Sequence, residues 1–156
     1  MSSDNSTEQL ENDVEDTTKD RYMTFNIESE KYGLEIAFVK EIIEMIPITR
    51  VPGSPEYVEG IINLRGDIIG VVDVRKRFGK QPKAYDEQTC IIVVEYQEYV
   101  LGLIVDSVNE VMTIEEERVQ APPSAKLSQL NQYIRNIGQL GDGVVLLLDL
   151  ERLLQG

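Results

Sequence analysis

Short runs of alternating apolar and polar residues begin at Tyr22 and continue almost to the end of the chain. Residues 23–27 alternate strictly, which is the period-two pattern of a half-buried β-strand. The same reasoning predicts strands in two groups. The first group comprises residues 23–27, 31–36, 41–46, 57–64 and 68–74, and the second comprises residues 90–96, 99–106, 109–114, 134–140 and 144–148. Prolines at positions 47, 52 and 55 end the third strand, because proline cannot donate to a strand ladder.

A short helix is predicted after each group of strands. Asp73 precedes residues 75–78, and Asp149 precedes residues 150–155. Each aspartate can therefore accept a hydrogen bond from a free amide in the first turn of its helix. Gly79 is expected to end the first helix.

The two groups of strands are copies of one another. Residues 57–64 return as 133–140 at a constant offset (133 − 57 = 76), and residues 22–42 match residues 91–111 at another (102 − 33 = 69). The change of offset predicts an insertion around residues 119–132, in which residues 126–132 are interpreted as a helical turn. A duplicated five-stranded unit predicts an all-β fold of two similar barrels, at about residues 20–80 and 88–150. Lobes this small are expected to fold together as one domain.

Charge and composition narrow the classes of partner. The net charge is −13, which argues against binding to nucleic-acid phosphates. The one dense basic stretch, residues 75–77, is interpreted as a solvent-exposed face. Residues 1–19 are acidic and polar, and are expected to form a disordered tail. A single cysteine, the lack of a signal peptide and the lack of an apolar run of about 20 residues favour a cytoplasmic protein without membrane insertion.

The residue types offer little for catalysis. The chain contains no histidine, which removes the most common general base and the most common metal ligand. The Gly-rich phosphate-binding motifs of nucleotide enzymes are also absent from the sequence. Residues 115–117 are three consecutive glutamates, which are interpreted as solvated surface. The sequence therefore predicts a binding protein that is not an enzyme, with no metal site and no cofactor.

The turn at residues 63–67 is the sharpest local signal. Gly66 suits a position with positive φ, and Arg65 places a charge between two strongly apolar strands. The second copy keeps the turn, at residues 140–143, but lacks the arginine. Arg65 is either a functional residue of the first lobe or an ordinary exposed turn residue, and Glu41 is its predicted ion-pair partner.

Several segments together resemble the CheW family of chemotaxis coupling proteins, over roughly residues 20–154. They are the segments at residues 39–42, 48–55, 60–66, 102–106 and 148–150. The resemblance implies two five-stranded SH3-like barrels. It also implies a CheW-like domain at residues 20–156 that acts as an adaptor between the cytoplasmic tips of chemoreceptors and the regulatory domain of the CheA histidine kinase. Such a protein would be a monomer in isolation and would join membrane-attached receptor arrays. Gly70 stands where the family usually has proline.

The resemblance also implies two binding surfaces. A receptor-binding groove between the lobes would comprise Ile36, Val39, Glu41, Ile42, Arg65, Val105 and Val108. A kinase-binding surface on the first lobe would comprise Ile46, Ile48, Val51 and Tyr57.

Two alternatives remain open at the level of sequence. Within the same fold, the chain could be the regulatory domain of a CheA-type kinase or the first domain of a CheV protein. In another class, it could be a β-barrel that binds a small ligand or a carboxylate-dependent enzyme. That alternative predicts a polar pocket inside one lobe, whereas barrels this small usually fill their interiors with side chains.

Overall fold

A computed structural model describes residues 18–122 and 132–155. Residues 1–17 of the predicted disordered tail lie outside the described residues. Residues 126–131 of the predicted helical turn also lie outside them. The described residues form two sheets of five and six strands, so the predicted all-β fold class of two similar subdomains is confirmed.

The first repeat contains five strands followed by a short helix. Its elements are β1 (Arg21–Ile27), β2 (Glu30–Glu35), β3 (Val39–Glu44), β4 (Val58–Leu64), β5 (Asp67–Asp73) and helix α1 (Val74–Arg77). A 3-10 turn, Ile36–Phe38, joins β2 to β3. The Asp73 carboxylate accepts a hydrogen bond from the amide of Lys76 at 3.3 Å, so the predicted helix cap is confirmed.

The second repeat follows the same order. Its elements are β6 (Cys90–Tyr96), β7 (Tyr99–Val105), β8 (Ser107–Thr113), a 3-10 turn (Glu116–Arg118), β9 (Val119–Gln120), β10 (Ile134–Leu140), β11 (Gly143–Leu148) and helix α2 (Leu150–Leu154). Asp149 caps α2 by accepting a hydrogen bond from the amide of Arg152 at 3.1 Å. The two-residue strand β9 lies in the insertion and was not predicted.

The third strand of each repeat differs from its predicted bounds. Strand β3 begins at Val39 and ends at Glu44, two residues earlier than predicted, because its partner β6 begins at Cys90 and pairs with Glu44. Its equivalent β8 is also shifted towards the N-terminus, and pairs with β1 up to Thr113.

The two repeats exchange their first hairpins. One sheet has the strand order β3-β6-β7-β5-β4, and the other has the order β8-β1-β2-β11-β10-β9. The hairpin β6–β7 therefore lies in the sheet of the first repeat, and β1–β2 lies in the sheet of the second. Parallel pairs make the junctions, β5 with β7 and β11 with β2. The sheets thus do not follow the segments 20–80 and 88–150, because each small repeat completes its sheet with backbone from the other.

The exchange places the largest hydrophobic cluster between the two sheets. That central cluster includes Phe25 and Leu34 from one sheet, Val94 and Leu103 from the other, and Leu153 of α2. A smaller cluster lies in the sheet of β3–β7 and another in the sheet of β8–β11, each built on buried Ile, Val or Leu side chains. The central cluster fixes the two sheets against each other, so the surface features of both repeats sit on one packed body.

Candidate protein-binding surfaces

The turn between β4 and β5 presents Arg65 in a fixed backbone conformation. Arg65 has φ +51° and Gly66 has φ +92°, the two successive positive values of a type I′ hairpin turn. The amide of Gly66 donates to the Asn63 side-chain oxygen at 2.9 Å, which closes the turn. The positive φ expected at Gly66 is confirmed.

Arg65 forms an ion pair with Glu41 on strand β3, as predicted from sequence. Strands β3 and β4 are the two edges of their sheet, so this contact requires the sheet to curl until its edges approach each other. The Arg65 side chain is 67% exposed and that of Glu41 is 33% exposed. An ion pair with this exposure contributes only about 0–1 kcal/mol to stability, so its main effect is to orient two charges at the surface.

The ion pair forms part of the wall of an open cleft of about 460 Å³. Apolar side chains of Leu64, Ile69, Val93 and Val100 also line this cleft. The exposed Ile68 side chain, 60% accessible, stands beside it. The cleft therefore combines apolar area with charges of both signs, which suits a protein partner better than a small polar ligand.

The other predicted receptor-groove residues occupy different environments. Val39 on β3 and Val108 on β8 are equivalent in the two repeats, and both pack against the central cluster while remaining partly exposed. Ile36 lies in the turn before β3 and is partly exposed, and Ile42 is 38% exposed. Val105 is 1% exposed and belongs to the central cluster. Its assignment to a binding surface is corrected, because β7 is the central strand of its sheet and residues 102–105 are buried on both of its faces.

The predicted kinase-binding residues lie in and beside the segment that joins β3 to β4. Ile46 and Ile48 are partly buried against the cluster of the first sheet, and Val51 is 43% exposed. Thr49 exchanges two backbone hydrogen bonds with Ile61 at 2.9 Å, which holds the segment on the outer edge of β4. The segment thus presents apolar side chains on a fixed backbone.

Gly60 makes this attachment possible. It has φ +150°, and a Cβ atom built there would lie 2.1 Å from the carbonyl oxygen of Thr49. No residue with a side chain fits at that distance. The backbone of β4 and that of the joining segment therefore approach each other only because residue 60 is glycine.

Tyr85 extends the same surface and was missed by sequence reasoning. Its hydroxyl donates to the Asp73 carboxylate at 2.9 Å, and its side chain lines a cleft with Ile46, Pro47 and Ile48. Burial, together with the Asp73 charge, raises the pKa of Tyr85, so the hydroxyl remains a donor at neutral pH. The tyrosine is 41% exposed in a segment that lacks periodicity, which left no sequence signal.

The basic residues of α1 are not a solvent-exposed face, which corrects the sequence interpretation. Arg75 donates from Nε to Asp106 Oδ1 at 2.7 Å and from Nη2 to Asp106 Oδ2 at 2.9 Å. Lys76 contacts the Glu59 carboxylate in a largely buried pair. Arg77 lies over the ring of Tyr57. All three charges point back onto the protein because α1 has a single turn that packs against both repeats.

Two observations on the described residues bear on metal binding and on thiol reactivity. No group of three or more His, Cys, Asp or Glu side chains among them is arranged to hold a metal ion. Burial raises the pKa of the Cys90 thiol, which disfavours the reactive thiolate. Within the described residues, no helix is both long enough and apolar enough to cross a membrane.

Two similar β-sheets packed on a shared core, with open and partly apolar clefts at the surface, define an all-β domain. The model of the CheW-like domain matches residues 21–156, and this chain belongs to that family. The chemotaxis protein CheW of Klebsiella aerogenes is 32% identical over 139 residues, which cover 89% of this chain and 84% of that protein. The chemotaxis protein CheW of Treponema pallidum is 32% identical over 135 residues, which cover 84% of this chain and 79% of that protein.

A solved structure gives the same assignment. The crystal structure of the scaffolding protein TtCheW from Thermoanaerobacter tengcongensis matches with a TM-score of 0.81 and 36% identity, covering 88% of this chain and 93% of that chain. The resemblance deduced from sequence is confirmed, and the protein is a member of a family of chemotaxis adaptors and scaffolds.

Proposed function

We propose that this protein couples chemoreceptors to the CheA histidine kinase, and that it does so by binding both without catalysing a reaction. The observation that carries the proposal is the likeness to a scaffolding protein over 88% of the chain, at a TM-score of 0.81. Two separate surfaces support the proposal, one around the Arg65–Glu41 pair and the other around Ile46, Ile48 and Val51.

The receptor-facing surface is proposed to comprise Ile36, Val39, Glu41, Ile42, Arg65 and Val108. Chemoreceptor tips are helical hairpins in the family, and an amphipathic helix binds a groove through apolar anchors at its own helical spacing. The partly exposed Val39 and Val108 offer apolar contacts next to the central cluster. The Arg65–Glu41 pair offers charges that select the register of the helix, because specificity arises from matched and mismatched charges.

The kinase-facing surface is proposed to comprise Ile46, Ile48, Val51 and Tyr57. The joining segment between β3 and β4 is attached to β4 through Thr49 and contains prolines at positions 47, 52 and 55. A segment that is already ordered loses little conformational entropy when it binds. The kinase domain proposed to bind here is homologous to this family, so the contact would join two similar folds.

Coupling requires that the adaptor hold both partners at once. Receptor signals change kinase activity only if the two kinase states make different contacts with the assembly. The central cluster makes the two sheets one packed body, which supports transmission through a rigid adaptor rather than through a flexible linker.

Binding and kinase assays test the proposal. The full chain is titrated by calorimetry with the isolated regulatory domain of a cognate CheA and, separately, with a receptor cytoplasmic fragment. We expect saturable binding in both titrations and receptor-dependent stimulation of CheA autophosphorylation only when the chain is present. Absence of binding to either partner at about 100 μM would contradict the adaptor role, since that is weak even for transient signalling contacts.

A further inference from the structure

The Arg77 guanidinium lies between Tyr57 and Tyr133, two tyrosines at the same position of the two repeats. The guanidinium carbon of Arg77 is 4.1 Å from the ring centroid of Tyr57 and 5.0 Å from that of Tyr133. These tyrosines occupy equivalent positions in the two repeats (133 − 57 = 76). The backbone carbonyl of Tyr57 accepts a hydrogen bond from the amide of Asp73 at 2.8 Å, and that of Tyr133 accepts one from the amide of Asp149 at 2.7 Å. Arg77 therefore bridges the repeats at the place where their copies meet.

The same side chain caps the helix of the other repeat. Arg77 Nε donates to the carbonyl of Leu153 at 2.9 Å, and Nη2 donates to the carbonyls of Gln155 and, at 3.4 Å, Arg152. These carbonyls belong to the end of α2, where they have no partner within the helix. Leu153 is the repeat equivalent of Arg77 (153 − 77 = 76) and is fully buried. One copy thus provides a cation that serves both helices.

A row of aromatic rings continues from this point into the core. Phe78 stacks on Tyr133 with a centroid distance of 5.6 Å, and lies 5.3 Å from Tyr32. Tyr32 in turn stacks on Phe25 at 5.7 Å. Arg77 connects Tyr57 to the end of this row. The orientation of Tyr57 is consequently coupled to the packing of the second repeat.

Tyr57 remains accessible to a partner beside Arg77. It is partly exposed and lines an open cleft of about 460 Å³ together with Tyr96, Tyr99 and Leu154. Tyr99 is 71% exposed, so the mouth of this cleft is aromatic. Aromatic side chains that are held in place are favoured at interfaces, because little rotamer freedom is lost on binding.

We propose that Arg77 is a positioning residue that holds Tyr57 for kinase binding and ties that surface to the second repeat. This inference rests on the proposed kinase-facing role of Tyr57. Arg77 acts through Tyr57 rather than by contacting the partner, because its donors are directed to the carbonyls of α2. Loss of the guanidinium lets the Tyr57 ring sample other rotamers, and the cost of ordering it then falls on the binding step.

Three variants of the full chain test the proposal by calorimetric titration. Arg77→Met removes the cation with little change in side-chain length, and we expect it to weaken binding of the kinase regulatory domain roughly five- to tenfold. Binding of a receptor cytoplasmic fragment should change by less than about twofold. Arg77→Lys keeps a cation near the rings and should recover part of the loss. Arg118→Met removes an exposed cation from the turn before β9, and should change neither affinity.

A double-mutant cycle separates positioning from general destabilisation. If Arg77 acts through Tyr57, Arg77→Met has little further effect on kinase affinity in a Tyr57→Ala background. The ring resonances of Tyr57 and Tyr133 should move in the Arg77→Met spectrum, whereas those of Tyr99 should not. Additive effects in the cycle, or unmoved Tyr57 and Tyr133 rings, would overturn the inference. A wild-type chain that fails to bind the kinase domain would instead overturn the proposed function of this surface, whatever the rings show.

Discussion

Arg75 and Asp106 form a two-point ion pair that joins the end of strand β7 to helix α1, with N–O distances of 2.7 and 2.9 Å. The side chains are only 11% and 14% exposed. The amide of Glu28 adds a third hydrogen bond to the same carboxylate at 2.7 Å, from the turn between β1 and β2. A single carboxylate therefore connects both first hairpins of the exchanged repeats to the helix of the first repeat.

Asp106→Ala should destabilise the fold strongly. The substitution leaves the Arg75 guanidinium buried without its main partner, and breaking such a pair costs about 2–4 kcal/mol of unfolding free energy. Urea denaturation monitored by circular dichroism measures the change. Glu95→Ala is the matched control, because the Lys40–Glu95 pair is 3.7 Å apart with about half of each side chain exposed, and its loss should cost less than about 1 kcal/mol. Equal losses in the two variants would contradict the structural role of Asp106.

The loss of unfolding free energy at acidic pH should depend on Asp106. Burial alone would raise the pKa of this carboxyl, but the hydrogen bonds from Arg75 and Glu28 and the Arg75 charge outweigh burial and lower it. A carboxyl with a folded pKa below its unfolded value of about 3.9 stabilises the fold above that value, and the contribution is lost as the pH falls through the folded pKa. Unfolding free energy should therefore fall less steeply below about pH 4 in Asp106→Asn than in the wild type. If the unfolding free energy falls equally steeply with acid in the variant and in the wild type, other carboxylates dominate the acid destabilisation.

The strands and helix caps were predictable because their causes are local. Period-two alternation located β1. The aspartates at positions 73 and 149 predicted the starts of α1 and α2, because aspartate is preferred at the position that caps the first helical turn. The exchange of hairpins was not predictable in this way. Alternation states which face of a strand is buried, but not which distant strand completes the sheet, and β7 pairs with both β6 and β5.

For the same reason, only part of the candidate site could be predicted from the sequence. The Arg65–Glu41 pair could be anticipated because the turn chemistry singled out Arg65 and because Glu41 lies in a strand of the same lobe. Arg75 and Arg77 were misread, since a basic tripeptide on a short helix has the same pattern whether it is solvated or folded back. Val105 could be recognised as a core residue only after the position of β7 in the middle of its sheet was known.

Reversing the charge of Arg65 should affect receptor binding without a large effect on the unfolding free energy. Arg65→Glu places two carboxylates together and should weaken receptor binding and receptor-dependent kinase activation. The pair is exposed, so the unfolding free energy should change by no more than about 1 kcal/mol. Calorimetric titration with a receptor fragment and urea denaturation of the same samples measure the two effects.

The double variant Arg65→Glu with Glu41→Arg identifies which property matters. If the pair mainly orients the turn, the reversed pair should restore receptor binding to within a few-fold of the wild type. If the receptor contacts the Arg65 charge directly, the double variant should remain as weak as the single one. Undiminished receptor binding by Arg65→Glu would remove Arg65 from the proposed receptor surface.

Gly60 and Gly70 offer a matched pair of glycine substitutions within neighbouring strands of one sheet. A Cβ atom at Gly60 would lie 2.1 Å from the Thr49 carbonyl oxygen, whereas a Cβ atom at Gly70 would meet nothing within 4 Å. Gly60→Ala should therefore reduce the unfolding free energy by roughly 2–4 kcal/mol, since the backbone must move and the φ of +150° is strained for alanine. Gly70→Ala should raise the unfolding free energy by about 0.5–1 kcal/mol, because alanine restricts the unfolded chain without a clash.

The same pair links local packing to the proposed kinase surface. In Gly60→Ala the two hydrogen bonds between Thr49 and Ile61 cannot keep their 2.9 Å length, so the segment carrying Ile48 leaves its place on β4. We expect this variant, assayed at a temperature where it remains folded, to lose affinity for the kinase regulatory domain while it keeps affinity for the receptor fragment. Gly70→Ala should keep both affinities. An unchanged kinase affinity in folded Gly60→Ala would show that the joining segment does not form the kinase contact, and the surface would then have to be sought around Tyr57 and its cleft.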